Sequence, residues 1–150
     1  MAANNFSAEV TAISTGTAVK TLVQLLAATN VKVRLKEISL SFNGTSNTAT
    51  PILCEAVRQT SAGTFTNTTT LRAWDDNLVE TLQTTGKDTA TAEPTDGGAV
   101  PIAEYVHPQQ GFLWQARWAD EVIIKGAGRF GVRVTAAASV SAGCRMMAEE

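Results

Sequence analysis

Histidine occurs once in this 150-residue chain, tyrosine once and cysteine twice. A single histidine leaves a His-based triad or a multi-histidine metal centre only one possible member, His107. Two cysteines, Cys54 and Cys144, are too few for a disulfide framework. In a reducing compartment they act as small buried hydrophobes, and a Cys54–Cys144 bridge is the one pairing open to them. Charge is scarce as well: Asp, Glu, Lys and Arg make up 17% of the residues, against a usual share of about a quarter. The net charge is −2, and the basic residues are spread singly, never in a run. That argues against the phosphate-tracking surface that nucleic acid requires. No apolar run approaches the roughly 20 residues of a membrane-spanning helix. Neither nucleic acid nor a membrane is therefore an expected partner. The stretch MAANNFSAEV has neither the basic region nor the apolar region of a secretory signal, so synthesis and folding in a cytoplasm are expected.

Threonine fills much of the space that charge leaves, with 21 residues against five lysines. A β-branched hydroxyl residue suits a half-buried pleated surface and keeps its outer face wet without charge. Such a neutral surface fits a subunit that packs against neighbours better than a free enzyme.

The chain is organised around Val31–Thr60. Apolar side chains fall on odd positions at Val31, Val33 and Leu35, then on even positions at Ile38, Leu40 and Phe42. Strand side chains alternate with period two, so the phase flip at Lys36-Glu37 predicts a β-bulge or bend. Asn43-Gly44 ends that run, and a second starts at Ile52 after a polar connection, giving a hairpin-like unit. Ahead of it, residues 1–17 read as an N-terminal arm with Phe6 as a possible anchor and a short strand candidate at 9–14. Ala18–Ala28 fits a helix or a strand by periodicity, and its β surroundings favour strand.

Beyond Thr60 the chain is polar and turn-rich to Thr70, with a short apolar patch at 71–74. Asp75–Leu82 could hold one or two helical turns. Residues 83–98 read as a long loop crossed by a thin strand at 89–93. Further strands are expected at 99–107, 112–118, 122–124, 129–135 and 139–147. In Phe112–Trp118 the aromatics Phe112, Trp114 and Trp118 share one face by alternation. In Arg129–Thr135, Phe130, Val132 and Val134 point inward and Arg133 outward. Eight to ten short strands between turn signals predict an all-β, antiparallel β-sandwich, jelly-roll-like, with at most one short helix near 75–82. The domains are then an arm at 1–17 and a single sandwich at 18–150.

No motif announces chemistry. His107 stands in a turn beside Pro108, where an ordinary loop or interface role outweighs catalysis. Lys125–Gly131 superficially matches a glycine-rich phosphate loop, but it leads into a strand, so no helix N-terminus awaits a phosphate. Asp75-Asp76 and Asp120-Glu121 lack the ligand spacing of a calcium loop and read as caps or solvated turns. No catalytic residue, cofactor or metal is expected. The aromatic and arginine residues carry more: Phe6, Trp74, Trp114, Arg117, Trp118 and Arg133 are the candidate interface residues. Core packing, a subunit interface and a carbohydrate-stacking platform all stay open for the tryptophans.

The runs VKVRLKEISLSFNGTSNTATPILCEAVRQTSAGT, TATAEPT, VHPQQGFLWQ and GAGRFGVRVTAAASVSAGCRMMAEE resemble a family of small proteins encoded beside capsid genes in tailed bacteriophages. The likeness covers most of residues 18–150 and is weakest over 72–88. It implies a structural virion protein, a capsid decoration (cement) protein with a jelly-roll-like body. Such a protein is often trimeric, is assembled in the host bacterial cytoplasm, and binds the major capsid protein on the head surface. The same features also fit a glycan- or host-binding module of a head fibre or tail, recognising its target through Trp74 or Trp118. A small hydrolase is the third class and has only His107 in its favour.

Overall fold

The computed structural model describes residues 3–43, 50–75, 81–98 and 100–150. Among them are twelve strands and no helix. In chain order these are β1 (Asn5–Ser14), β2 (Lys20–Leu26), β3 (Val33–Asn43), β4 (Ile52–Gln59), β5 (Thr64–Thr69) and β6 (Leu71–Ala73). They continue with β7 (Thr85–Ala92), β8 (Ile102–Val106), β9 (Phe112–Gln115), β10 (Val122–Ile124), β11 (Arg129–Thr135) and β12 (Ser141–Glu149). The helix expected near 75–82 falls mostly on residues outside those described; Asp75, Thr81 and Leu82 lie in no helix.

Every strand pair is antiparallel. One sheet runs β10-β3-β12-β1-β6 with β9 also on β3, and the other runs β5-β7-β2-β11-β4-β8. With β5–β7 set aside and β9–β10 counted as one broken strand, eight strands remain. Their order is first-eighth-third-sixth in one sheet and second-seventh-fourth-fifth in the other. That is the jelly-roll arrangement of two interlocked Greek keys. The segment β5–β7 is an excursion between β4 and β8 that widens both sheets on the β1/β2 side.

Alternation supplies the core. Phe6, Leu22, Leu25, Leu35, Ile38, Phe130, Val134 and Met146 are all buried between the sheets. Phe130, Val132 and Val134 point inward as their spacing predicts. Cys54 on β4 and Cys144 on β12 are both buried and free, and burial pushes the Cys54 thiol up to about 12 and the Cys144 thiol higher still.

Three expectations need correction. Residues 5–14 are no arm: β1 lies between β12 and β6, and Asn4 and Glu150 exchange backbone hydrogen bonds at its end. Its apolar alternation, Phe6-x-Ala8-x-Val10, is the strand signal that the polar start of the chain masks. Next, β3 and β4 form no hairpin; each joins a different sheet. The polar stretch 61–70 also contains a strand, β5, built on threonine. With Thr, Phe65 and Asn as its side chains it lacks the large apolar alternation that identified the others.

The phase flip at Lys36-Glu37 is a β-bulge. Glu37 pairs with Met147 but Leu35 pairs with Ala148, so Lys36 is the extra residue. The bend stays within one sheet.

Candidate functional site

The bulge decides what the sheet edge looks like. Beyond β3, the edge position is shared end to end by β9, paired with 37–40, and β10, paired with 33–35. Lys36 breaks the ladder between them. Its carbonyl accepts a hydrogen bond from the Ala116 amide at 2.8 Å, the last contact before the chain leaves the sheet. A tight turn follows, closed by Asp120 N–H to the Arg117 carbonyl at 2.9 Å. Trp118 occupies its second position and is 96% exposed. Ala119, at the third, sits at φ 67°, in the left-handed region where a residue with a Cβ is strained and glycine is usual. The chain thus accepts local strain where it presents an indole to solvent.

Leu113, 58% exposed, and Ile123, 40% exposed, flank this turn on β9 and β10. Beneath them Phe112, Trp114 and Val122 pack against the core. The broken edge is thus apolar on both faces, a combination normally blunted by charge on a free sheet edge. From the opposing sheet, Arg58 Nη1 donates to the Ile123 carbonyl at 2.8 Å, fixing β10 in place. Beside the edge on the outer face, Glu37 accepts from Gln115 Nε2 at 2.9 Å and from Arg145 Nη2 at 2.7 Å.

Those two partners, the Gln115 amide first, hold the Glu37 carboxyl below its ordinary value against the opposing cost of partial burial. A depressed carboxylate stabilises the fold above its unfolded-state value, and the contribution is lost as pH falls through the folded-state value. Glu37→Gln is therefore expected to cost about 0.5–1 kcal/mol at pH 7. The difference from wild type should shrink in denaturant unfolding as the pH falls below the ordinary carboxylate value, and vanish once it lies below the folded-state value. A difference that persisted there would assign the effect to packing.

The six candidate interface residues do not form one surface. Trp114, Arg117 and Trp118 come together on the β9–β10 edge, with Arg117 and Trp118 exposed and Trp114 half-buried. Alternation had placed Trp118 on the Trp114 face; β9 ends at Gln115, so that alternation does not reach it. Trp74, 59% exposed, follows β6 on the opposite edge of the same sheet, its amide bonded to the Asn5 carbonyl. Phe6 is 1% exposed and belongs to the core. Arg133 is engaged within the chain. Its Nε donates to Glu55 at 2.9 Å and its Nη1 pairs with Asp96, and desolvation is outweighed by those two carboxylates, raising its pKa.

Asp96 belongs to the stretch 93–98, which straps the outer face of the β11 sheet. Under it lies a polar layer: Gln24 Nε2 donates to Gln59 Oε1 at 2.7 Å, and Thr21 donates from both its amide and hydroxyl to Glu93. This layer was invisible in the sequence because its members are spread from residue 21 to residue 133.

His107 Nδ1 accepts the Gln109 amide at 3.2 Å, so the ring closes its own turn. Among the described residues no group of three or more His, Cys, Asp or Glu side chains is placed to hold a metal ion. No helix among the described residues is long and apolar enough to cross a membrane. No known family model, curated protein or solved structure matches the chain significantly.

Proposed function

We propose that the protein is a structural, non-enzymatic virion component: a capsid decoration protein that binds the major capsid protein on a phage head and stabilises the shell. Trp118 carries this reading. Of the exposed large apolar side chains Trp118 is the most exposed, an indole almost wholly in solvent on a strained turn, with Leu113 and Ile123 exposed on the strands that flank it. Tryptophan and arginine anchors of this kind dominate protein–protein binding energy when a partner desolvates them. The sequence resemblance names the partner, and the threonine-rich, weakly charged surface suits close packing among copies. A homotrimer fits the same use, since one patch then serves every copy around a three-fold axis.

Cosedimentation with capsids lacking the protein tests this. Wild type should bind, and Trp118→Ala should weaken binding by at least about 2 kcal/mol, roughly 30-fold. Its stability should stay within about 0.5 kcal/mol of wild type. A wild-type protein that stayed monomeric and ignored such capsids would sink the proposal.

The exposure of both Trp74 and Trp118 favours a second reading, a glycan- or host-binding module of a head fibre or tail. Saturable glycan binding lost in Trp74→Ala or Trp118→Ala would select it.

A further inference from the structure

On the side widened by the β5–β7 excursion, β1, Lys20 and residues of β5 and β7 line an open cleft of about 490 Å³. That falls within the size range of small-molecule sites. Its floor holds Asp88, an inward-facing residue of β7 that is only 9% exposed. Burying a carboxylate is costly unless it is paired, and among the described residues Asp88 has no cation within ion-pair distance. Three neutral donors hold it instead: Asn67 Nδ2 at 3.1 Å, Thr69 Oγ1 at 2.9 Å and Thr89 Oγ1 at 2.9 Å.

A cation does line the same cleft. Lys20, at the start of β2, points its ammonium to the Ala90 carbonyl. Two of its three N–H groups keep their capacity, and an ionised carboxylate with three donors keeps one acceptor position.

The backbone around the cleft is unusual as well. Ala12 lies at φ 59° and Thr89 at φ 58°, and both line it. Ala12 falls in the β1 bulge between Val10 and Ile13. Thr89 in the left-handed region swings its hydroxyl onto Asp88. Non-glycine residues held in that region concentrate at ligand clamps. Two of the four such residues among those described line this one cleft.

We propose that the cleft between the β1 bulge and β7 binds a small polyhydroxylated ligand of the saccharide class. Adjacent hydroxyls supply in one molecule what the cleft calls for: a donor to Asp88 and an acceptor for Lys20, without net charge. The site is separate from Trp74 and Trp118 and does not depend on the proposed capsid role.

Titration of the ¹⁵N-labelled full chain with glucose, galactose, mannose and N-acetylglucosamine tests it by NMR. At least one sugar should give saturable shifts centred on residues 10–14, 20, 67 and 88–90, with millimolar affinity. Lys20→Met should weaken that binding about tenfold, as should Thr89→Ala, each removing one hydrogen-bonding group. Thermal melting of both variants should confirm that they fold, and Lys20→Met should bind capsids like wild type. Absence of saturation by every sugar would overturn the site and leave Asp88 as a buried carboxylate held by its three neutral donors. Shifts centred on Trp118 or Trp74 would overturn it too, as would the same shifts produced by calcium chloride alone.

Discussion

Phe6→Ala is expected to lower the unfolding free energy by about 3–5 kcal/mol, the range for deleting a fully buried aromatic ring. The ring is 1% exposed, and its strand is hydrogen-bonded on both sides, to Ala148 on β12 and to Ala73 on β6. Such a loss is a large part of the roughly 5–15 kcal/mol that holds a typical domain together. Equilibrium denaturant unfolding at fixed pH measures it. A cost below about 1 kcal/mol would mean that residues 5–14 are dispensable to the fold. Because Phe6 is interior, any loss of partner binding in this variant should track its loss of stability.

The neighbours Gly126 and Ala127 should respond to substitution with opposite signs. They occupy the turn Lys125–Gly128, closed by Gly128 N–H to the Lys125 carbonyl at 2.8 Å. This turn docks on the corner after β2, with Ala127 N–H on the Ala28 carbonyl and Ala27 N–H on the Gly128 carbonyl. A Cβ on Gly126 would lie 2.2 Å from the Thr29 carbonyl oxygen. Both groups are backbone, so no rotamer change relieves the overlap and the two turns must separate. Gly126→Ala should cost about 3 kcal/mol, at the upper end for overpacking.

Ala127 sits at φ 58°, which glycine adopts freely. Replacing it removes about 1–2 kcal/mol of strain and returns about 0.4–1 kcal/mol through a freer unfolded chain. Ala127→Gly should therefore be neutral or stabilising by up to about 1 kcal/mol. Paired thermal melts would show the contrast. Equal losses in both would indicate that the corner does not depend on this close approach.

The sequence revealed most where the pattern was local. The apolar phase shift from Leu35 to Ile38 pointed to a bulge or bend at Lys36-Glu37, because a bulge is an insertion in an alternating series, and the pairing register makes Lys36 the extra residue. Ala18–Ala28 was ambiguous by period, its β neighbours favoured strand, and the structure makes Lys20–Leu26 of it a strand. The tight corners at 107–111 and 125–128 followed from Pro108, Gly111, Gly126 and Gly128.

What stayed hidden was the choice of partner. Nothing within residues 31–60 says that β3 pairs with β12 and β4 with β11. Hydrogen-bonded pairing is generic, and only the packed core selects it. Trp118 shows the same limit at the candidate site. Its spacing from Trp114 matched one strand face, yet the bulge on a different strand ends β9 before that spacing applies. Asp88 and Lys20 gave no signal at all, since the cleft that joins them arises from the excursion between β4 and β8.

The pairing of β1 with β12 also bears on how fast the molecule can form. Asn5 meets Glu149 and Ser14 meets Ser141, so the earliest strand waits for one of the last to emerge. Until then Phe6, Ala8 and Val10 have only the three-residue β6 to pair beside their strand. Closing so long a loop before any contact rewards it places folding among the slow, millisecond-to-second class of β topologies. The nascent chain would leave the ribosome with the longer side of that hydrophobic strand still unpaired, a window in which chaperones would matter more than for a helical protein of equal size.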